Sequence, residues 1–431
     1  MTRLQPNPFE EPPSNGKRLI PFNRLIVYAA CLGIGVGFLS IAYYFALRLG
    51  LKAIWDVLPT IRYPGAADDF RPYAWILTGI GGLLVGLSVH YLGAPTGLNE
   101  AVDEIHQEGS LDYQQTPGMI VASLLSLIFG SSAGPETPLV DINGSVGSWV
   151  SHKLKLSVAD TRILTFCGMG AALGAFFGSP MGSALLALEL PHRMGMEYYE
   201  ALIPVIVSAV MGFAVFRLGT GQTIGGLYEF PAYDRLQPNH LVWAVLLGGI
   251  GAAIALLFML VFRATHRLIQ PLPLHPVLLT TLGGVAIGLL AAGLPLTLFY
   301  GEEQIQTIID TGRTLGASLL LFTAFGKMVA TSVCLNTGFR GGFLFPLFFI
   351  GASIGMATSL LIPTIPPTVG MICVMAAVSV AIMKTPVSIV LILAVISDTD
   401  LLPVTTVAAI VSFLLTTRIS FFPAQRSRIQ G

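Results

Sequence analysis

Apolar residues fill the chain in fourteen stretches with little polar sequence between them: 24–49, 73–93, 117–133, 135–150, 161–176, 179–191, 197–218, 238–264, 275–298, 315–334, 343–362, 368–383, 385–396 and 402–417. The length and apolarity of these runs predict helices throughout. Several fall short of the roughly 20 residues that a helix needs to cross a bilayer. Their ends carry helix breakers: Gly134-Pro135, Ser179-Pro180, Pro346 and Thr385-Pro386. A helix that stops inside the membrane leaves N–H or C=O groups unpaired, which is tolerable where protein or a polar cavity satisfies them. Broken helices therefore predict a solute path rather than a simple bundle.

Composition agrees with that pattern. Only 11% of the 431 residues are Asp, Glu, Lys or Arg, against about 25% in an ordinary soluble domain. The chain reads as an all-α, polytopic membrane protein embedded in a lipid bilayer. With a formal net charge of zero and no Lys/Arg run beyond two residues, it lacks the basic excess that nucleic-acid binding requires. Cys31, Cys167, Cys334 and Cys373 stand alone in apolar segments, outside any CxxC spacing, and read as packed free thiols. The seven histidines show no metal spacing; His106, between Glu104 and Glu108, is expected on a solvated face. No cofactor, metal site or catalytic constellation is expected, and an enzyme is disfavoured.

An internal repeat organises the chain. Gly134-Pro-Glu-Thr-Pro138-Leu139 returns as Gly342-Phe-Leu-Phe-Pro346-Leu347, and at the same offset Ile142, Ser145 and Gly147 meet Ile350, Ser353 and Gly355. At an offset two residues smaller, Cys167, Met169, Ala171, Ala175, Pro180 and Leu185 match Cys373, Met375, Ala377, Ala381, Pro386 and Leu391. The expected organisation is a tail (1–22), a first membrane repeat (23–218), a linker (219–237), a second repeat (238–420) and a second tail (421–431). Lys17, Arg18 and Arg24 before the first span, and Arg418, Arg426 and Arg428 after the last, predict both tails on the cytoplasmic side of the cell (inner) membrane. Repeats with odd numbers of crossings are inverted, with a solute site at their interface.

Both copies of the repeated block open on glycine. Glycine lets backbone come close to a ligand, and the unpaired N–H groups of a helix start favour an anion. Two such starts converging predict an anion site built without a full side-chain charge. The segments GSSAGPETPLVDINGSVG (130–147), GAALGAFFGSPMGSALLALEL (170–190) and TSVCLNTGFRGGFLFPLFFIGASIG (331–355), with VAIMKTPVSIVLILAV (380–395) as a weaker match, resemble the CLC family of chloride channels and chloride/proton antiporters. They are similar to that family's G(K/R)EGP helix start, the proline-broken helix pair after it, its GxFxP helix start and the repeat partner of the pair. The resemblance implies a CLC-type inverted repeat of broken and tilted helices, a homodimer, and a small anion such as chloride held at Gly134, Pro135, Glu136, Gly342, Phe343, Leu344 and Phe345. Ala94, in the loosely matching GAPTG, is the implied counterpart of an ion-contacting serine.

Read with Gly134-Pro135 on the motif's own Gly-Pro, the family's gating glutamate falls on Ala133 and its arginine on Ser132. The inner glutamate of the antiporters falls on Leu190, one residue past Glu189. The family's C-terminal tyrosine has Phe421 or Phe422 as its nearest aromatic. Glu136, three residues after Ala133 on nearly the same helix face, is then the candidate gate, and Arg340 a vestibule charge that concentrates anions. Asp141, Glu189 and Lys327 are intramembrane charges expected to pair among themselves. Lys384 is expected to satisfy carbonyls at its helix break. The expected function is passive conduction of an anion, chloride first. Proton-coupled exchange with Glu136 as a displaced gate is the second reading, and another solute or a nonconducting role the third.

Overall fold

The computed structural model describes residues 20–57, 73–93, 97–192, 198–222, 227–231, 237–397 and 399–425. The described residues form fifteen α-helices: α1 (Phe22–Leu51, widening to a π turn over Lys52–Val57), α2 (Ala74–Leu92), α3 (Leu98–Glu108), α4 (Thr116–Ile128), α5 (Glu136–Lys153), α6 (Val158–Phe177), α7 (Pro180–Glu189), α8 (Leu202–Thr220), α9 (Pro238–Ile269), α10 (Pro276–Gly293), α11 (Glu302–Asn336), α12 (Leu344–Leu361), α13 (Pro367–Met383), α14 (Pro386–Ile396) and α15 (Leu402–Thr416). Each expected apolar stretch coincides with one of them. Two stretches of helix were not expected. The amphipathic α3 carries too many acids to read as apolar, and the first turns of α11 precede the apolar run. A residue with φ of 77°, Gly316, kinks α11 where those two parts join.

Eight helical spans are long and apolar enough to cross a membrane, and the chain is a multi-pass membrane protein. The helices divide by burial. In α12, 83% of the most apolar window is buried, against 39% in α1, α8 and α9. The first is therefore central, and the others turn a face outward. Small residues bring helices together where no hydrophobic drive acts between them. At the α2–α10 crossing, a Cβ on Gly284 would strike the Thr78 carbonyl oxygen, and one on Gly82 the Thr280 carbonyl oxygen.

Besides that crossing, the repeats meet along two further seams. In the first, α7 and α14 lie antiparallel. Glu189 at the end of α7 accepts hydrogen bonds from the Val387 and Ser388 N–H groups (3.3 and 2.9 Å) and from the Ser388 hydroxyl. One carboxylate thus caps a helix of the other repeat. The second seam joins the starts of α5 and α12. His106 does not sit on a solvated face: it is 6% exposed, with Nε2 2.9 Å from the Pro191 carbonyl oxygen. Glu100, Asp103 and Glu108 of α3 are exposed and Glu104 is half-buried, while His106 shares the buried side with Leu98, Ala101, Val102 and Ile105. All four cysteines are free; Cys31 is exposed on α1 and the other three are buried.

Candidate functional site

Helices α5 and α12 begin two residues after Gly134 and Gly342. These glycines pair as an antiparallel bridge: Gly134 N–H donates to the Gly342 carbonyl at 2.9 Å, and Gly342 N–H to the Gly134 carbonyl at 2.6 Å. The bridge consumes one donor and one acceptor of each glycine and holds the two helix starts together. The N–H groups of each first turn remain without intrahelical partners.

Glu136, the first residue of α5, reaches across this junction. The Leu344 N–H donates to its Oε1, and the N–H groups of Phe345 and of Glu136 itself face the carboxylate. Its Oε2 makes no hydrogen bond among the described residues. The side chain is 5% exposed. A Cβ added to Gly134 or Gly342 would collide with this carboxylate, so the two glycines form the walls of the space it fills. Two helix dipoles point their positive ends at one buried anionic group. Pro135 is the N-cap of α5 and Phe343 that of α12; Ala133 is fully buried, against Gly341.

Aromatic rings close the space around the helix starts. Phe345 stacks on Phe177 (centroids 5.4 Å apart) and meets Tyr300 edge-on at 5.5 Å. Phe343 packs against Phe262, Phe421 and Phe422. A cavity of about 420 Å³ opens beyond Phe343, lined among others by Gly97, Glu100, Thr137, Arg340 and Phe421. A second cavity, of about 520 Å³, also reaches Arg340, past His90 and Asn336. Arg340 makes no ion pair among the described residues, and its Nε makes no hydrogen bond. Ala94 lies outside the described residues; its neighbour Gly97 lines the vestibule.

Among the described residues, Asp141, Glu189 and Lys327 form no ion pair with one another. Lys327, fully buried, donates to the Phe299 and Thr297 carbonyls (2.5 and 3.2 Å) and lies 5.1 Å from the Phe349 ring centroid. Glu189 caps α14, and neither oxygen of Asp141 has a hydrogen-bond partner among the described residues. Lys384 donates to the Thr416 carbonyl at 2.6 Å, on α15. Residues that the sequence left unmarked also border the site. Phe177 was visible only as part of the AFFGSP segment. Gln425, whose Nε2 donates to the Leu190 and Met383 carbonyls at 2.8 Å each, carries no sequence signal.

A family model described as "Voltage gated chloride channel" matches residues 81–417. A chloride/fluoride channel protein of Pseudomonas syringae pv. tomato is 29% identical over 376 residues, covering 83% of this chain and 79% of that protein. The putative ion-transport protein YfeO of Salmonella newport is 26% identical over 396 residues, covering 90% and 93%. Among solved structures, a CLC-type fluoride/proton antiporter superposes with a TM-score of 0.80 at 19% identity, over 94% of this chain and 98% of that one. A slow cyanobacterial Cl−/H+ antiporter gives 0.78 at 23% identity, over 92% and 96%. At these identities the structures establish the fold, and the family match spans well over half of the sequence. The chain belongs to the voltage gated chloride channel, or CLC, family of membrane anion transporters and channels.

Proposed function

We propose that the chain conducts a small monovalent anion, chloride or fluoride, through the junction of α5 and α12, with the Glu136 carboxylate and the anion competing for one seat. The observation that carries this reading is the carboxylate itself, buried between Gly134 and Gly342 and accepting the Leu344 N–H. Backbone donors at a helix start bind an anion of either kind. An ionised Glu136 occupies the seat; a protonated one loses its claim on those donors and frees them for the permeant ion. Under this reading G(K/R)EGP lies on Gly134-Pro-Glu-Thr-Pro138 residue for residue, so that Glu136 rather than Ala133 stands at the motif's glutamate. That register is the one in which the chain's own repeat sets Pro138 against Pro346. Arg340, exposed to both vestibule cavities, would raise the local anion concentration at one mouth. The name of the Pseudomonas relative, a chloride/fluoride channel protein, supports the same ion class.

Radioactive chloride efflux from liposomes tests it. Glu136→Gln should raise efflux at neutral pH about tenfold, equivalent to removing about 1.4 kcal/mol of competition. An unchanged rate and unchanged pH dependence would remove the gate. Passive conduction is favoured because Leu190 stands where a second proton-carrying acid is expected, and the adjacent Glu189 is bound into the α14 cap. The second reading, proton-coupled exchange, is supported by a small cavity of about 20 Å³ that runs from Glu136 toward Leu190 and Met383. A reversal potential that shifts with a pH gradient at fixed chloride would select it. The exposed apolar residues Met181, Ile203 and Val387 fit a contact with a second copy, which the mass of the purified particle in detergent would reveal.

A further inference from the structure

We propose that Asp141, Gln115 and Thr116 form a binding site for one monovalent cation of sodium size, separate from the anion seat. Asp141 lies on α5 and is 5% exposed. Among the described residues, neither of its carboxylate oxygens has a hydrogen-bond partner, and the same holds for Gln115 Oε1 and Thr116 Oγ1 at the start of α4. All three residues line one cavity of about 10 Å³, together with Leu111, Met119 and Ser145. That is room for a single water-sized centre. Asp112, also on its rim, holds Gln115 in place: Gln115 Nε2 donates to Asp112 Oδ2 at 3.3 Å, while Asp112 Oδ1 accepts the Gln114 N–H at 2.9 Å. The amide oxygen of Gln115 is thereby left for the cavity.

Four buried oxygens converge with no donor assigned to them. A water donates two protons and accepts one from the Thr116 hydroxyl, so it satisfies at most three of the four, and it leaves the buried charge of Asp141 uncompensated. A cation satisfies all four together, and oxygen donors of this kind suit hard ions. One buried carboxylate matches one positive charge; a divalent ion would leave a charge behind. The charged groups around Asp141 are Glu100 and Glu104 on α3, Asp112 and Arg340. Carboxylates outnumber the single guanidinium, and Arg340 makes no ion pair with Asp141. The start of α4 lies close by, yet none of its N–H groups reaches the carboxylate. An ion here ties α4 to α5, the helix that carries Glu136 and the vestibule residue Thr137.

The test uses the full-length protein in detergent, with sodium chloride compared against choline and potassium chloride at equal chloride and ionic strength. Sodium should raise the melting temperature saturably, because a ligand that binds only the folded state stabilises it by mass action. Radioactive sodium should bind at one ion per chain. Asp141→Asn should abolish both effects while the protein stays monodisperse. If that variant does not fold, Gln115→Leu and Thr116→Val should each weaken sodium binding about tenfold. Equal melting in all three salts, absence of bound sodium, or an effect retained in Asp141→Asn would overturn the proposal and leave a bound water only.

Discussion

A single methyl group distinguishes the seat from a closed junction. At Gly342, and equally at Gly134, the space that a Cβ would take belongs to the Glu136 carboxylate. Gly342→Ala is therefore expected to push the carboxylate off the Leu344 N–H and to overpack the junction, at a cost of about 1–3 kcal/mol. Thermal unfolding in detergent would measure the loss, and a variant as stable as the wild type would contradict the tight walls described. Lys327 makes a different point about the same scale. Among the described residues its ammonium has no carboxylate partner, and it is satisfied by carbonyl oxygens and the Phe349 face. Lys327→Met keeps the stem but orphans buried carbonyls, which predicts destabilisation of about 1–3 kcal/mol. Pairing of Lys327 with Asp141 or Glu189 was a reasonable expectation from hydropathy alone. Hydropathy does not tell which helices lie within reach of a side chain.

Among the elements, the α7–α14 seam depends on one cap. Glu189 accepts from two N–H groups and a hydroxyl at the start of α14, a charge-assisted cap across the two repeats. Removing it with Glu189→Ala should cost about 1–2 kcal/mol, and the double change with Ser388→Ala should cost less than the sum of the two singles. Additive losses would show that the contact contributes little. Helix α3 predicts a pH effect. Partial burial, with Asp112, Glu108 and Glu100 close by, pushes the Glu104 carboxyl above its ordinary range. The folded state then binds its proton more tightly than the unfolded chain. Its contribution is greatest below the unfolded value and is lost as pH rises through the folded one. Glu104→Gln should flatten that part of the stability curve in the mildly acidic range, as read by melting temperature against pH.

For the whole molecule, the expected signature is the response of transport to acid. If Glu136 blocks the seat while ionised, acidification should increase efflux through the wild type and leave Glu136→Gln flat. A profile identical in both would place the pH sensor elsewhere. The architecture was largely legible beforehand: every apolar stretch became a helix, and the two glycine-led segments that matched across the repeat form the bridge at Gly134 and Gly342. The amphipathic α3 lies outside the apolar stretches because its acids interrupt them, and His106 is buried because it faces inward while its neighbours Asp103 and Glu108 on α3 are exposed.

Apolarity, run length and the glycine and proline breaks are properties of local sequence. They determined by themselves that this is an all-helical membrane protein with broken helices repeated in two halves. The direction in which a side chain reaches across the repeats is not local. Only the tertiary structure decided that Glu136 leaves its own helix to accept the Leu344 N–H, that Glu189 caps the other repeat, and that Lys327 reaches the Thr297 and Phe299 carbonyls rather than a carboxylate. The physical reason is common to all three. A buried polar group must find its partner in space, and the helix start or oxygen that meets it lies on another segment, whose position in the chain gives no sign of the contact.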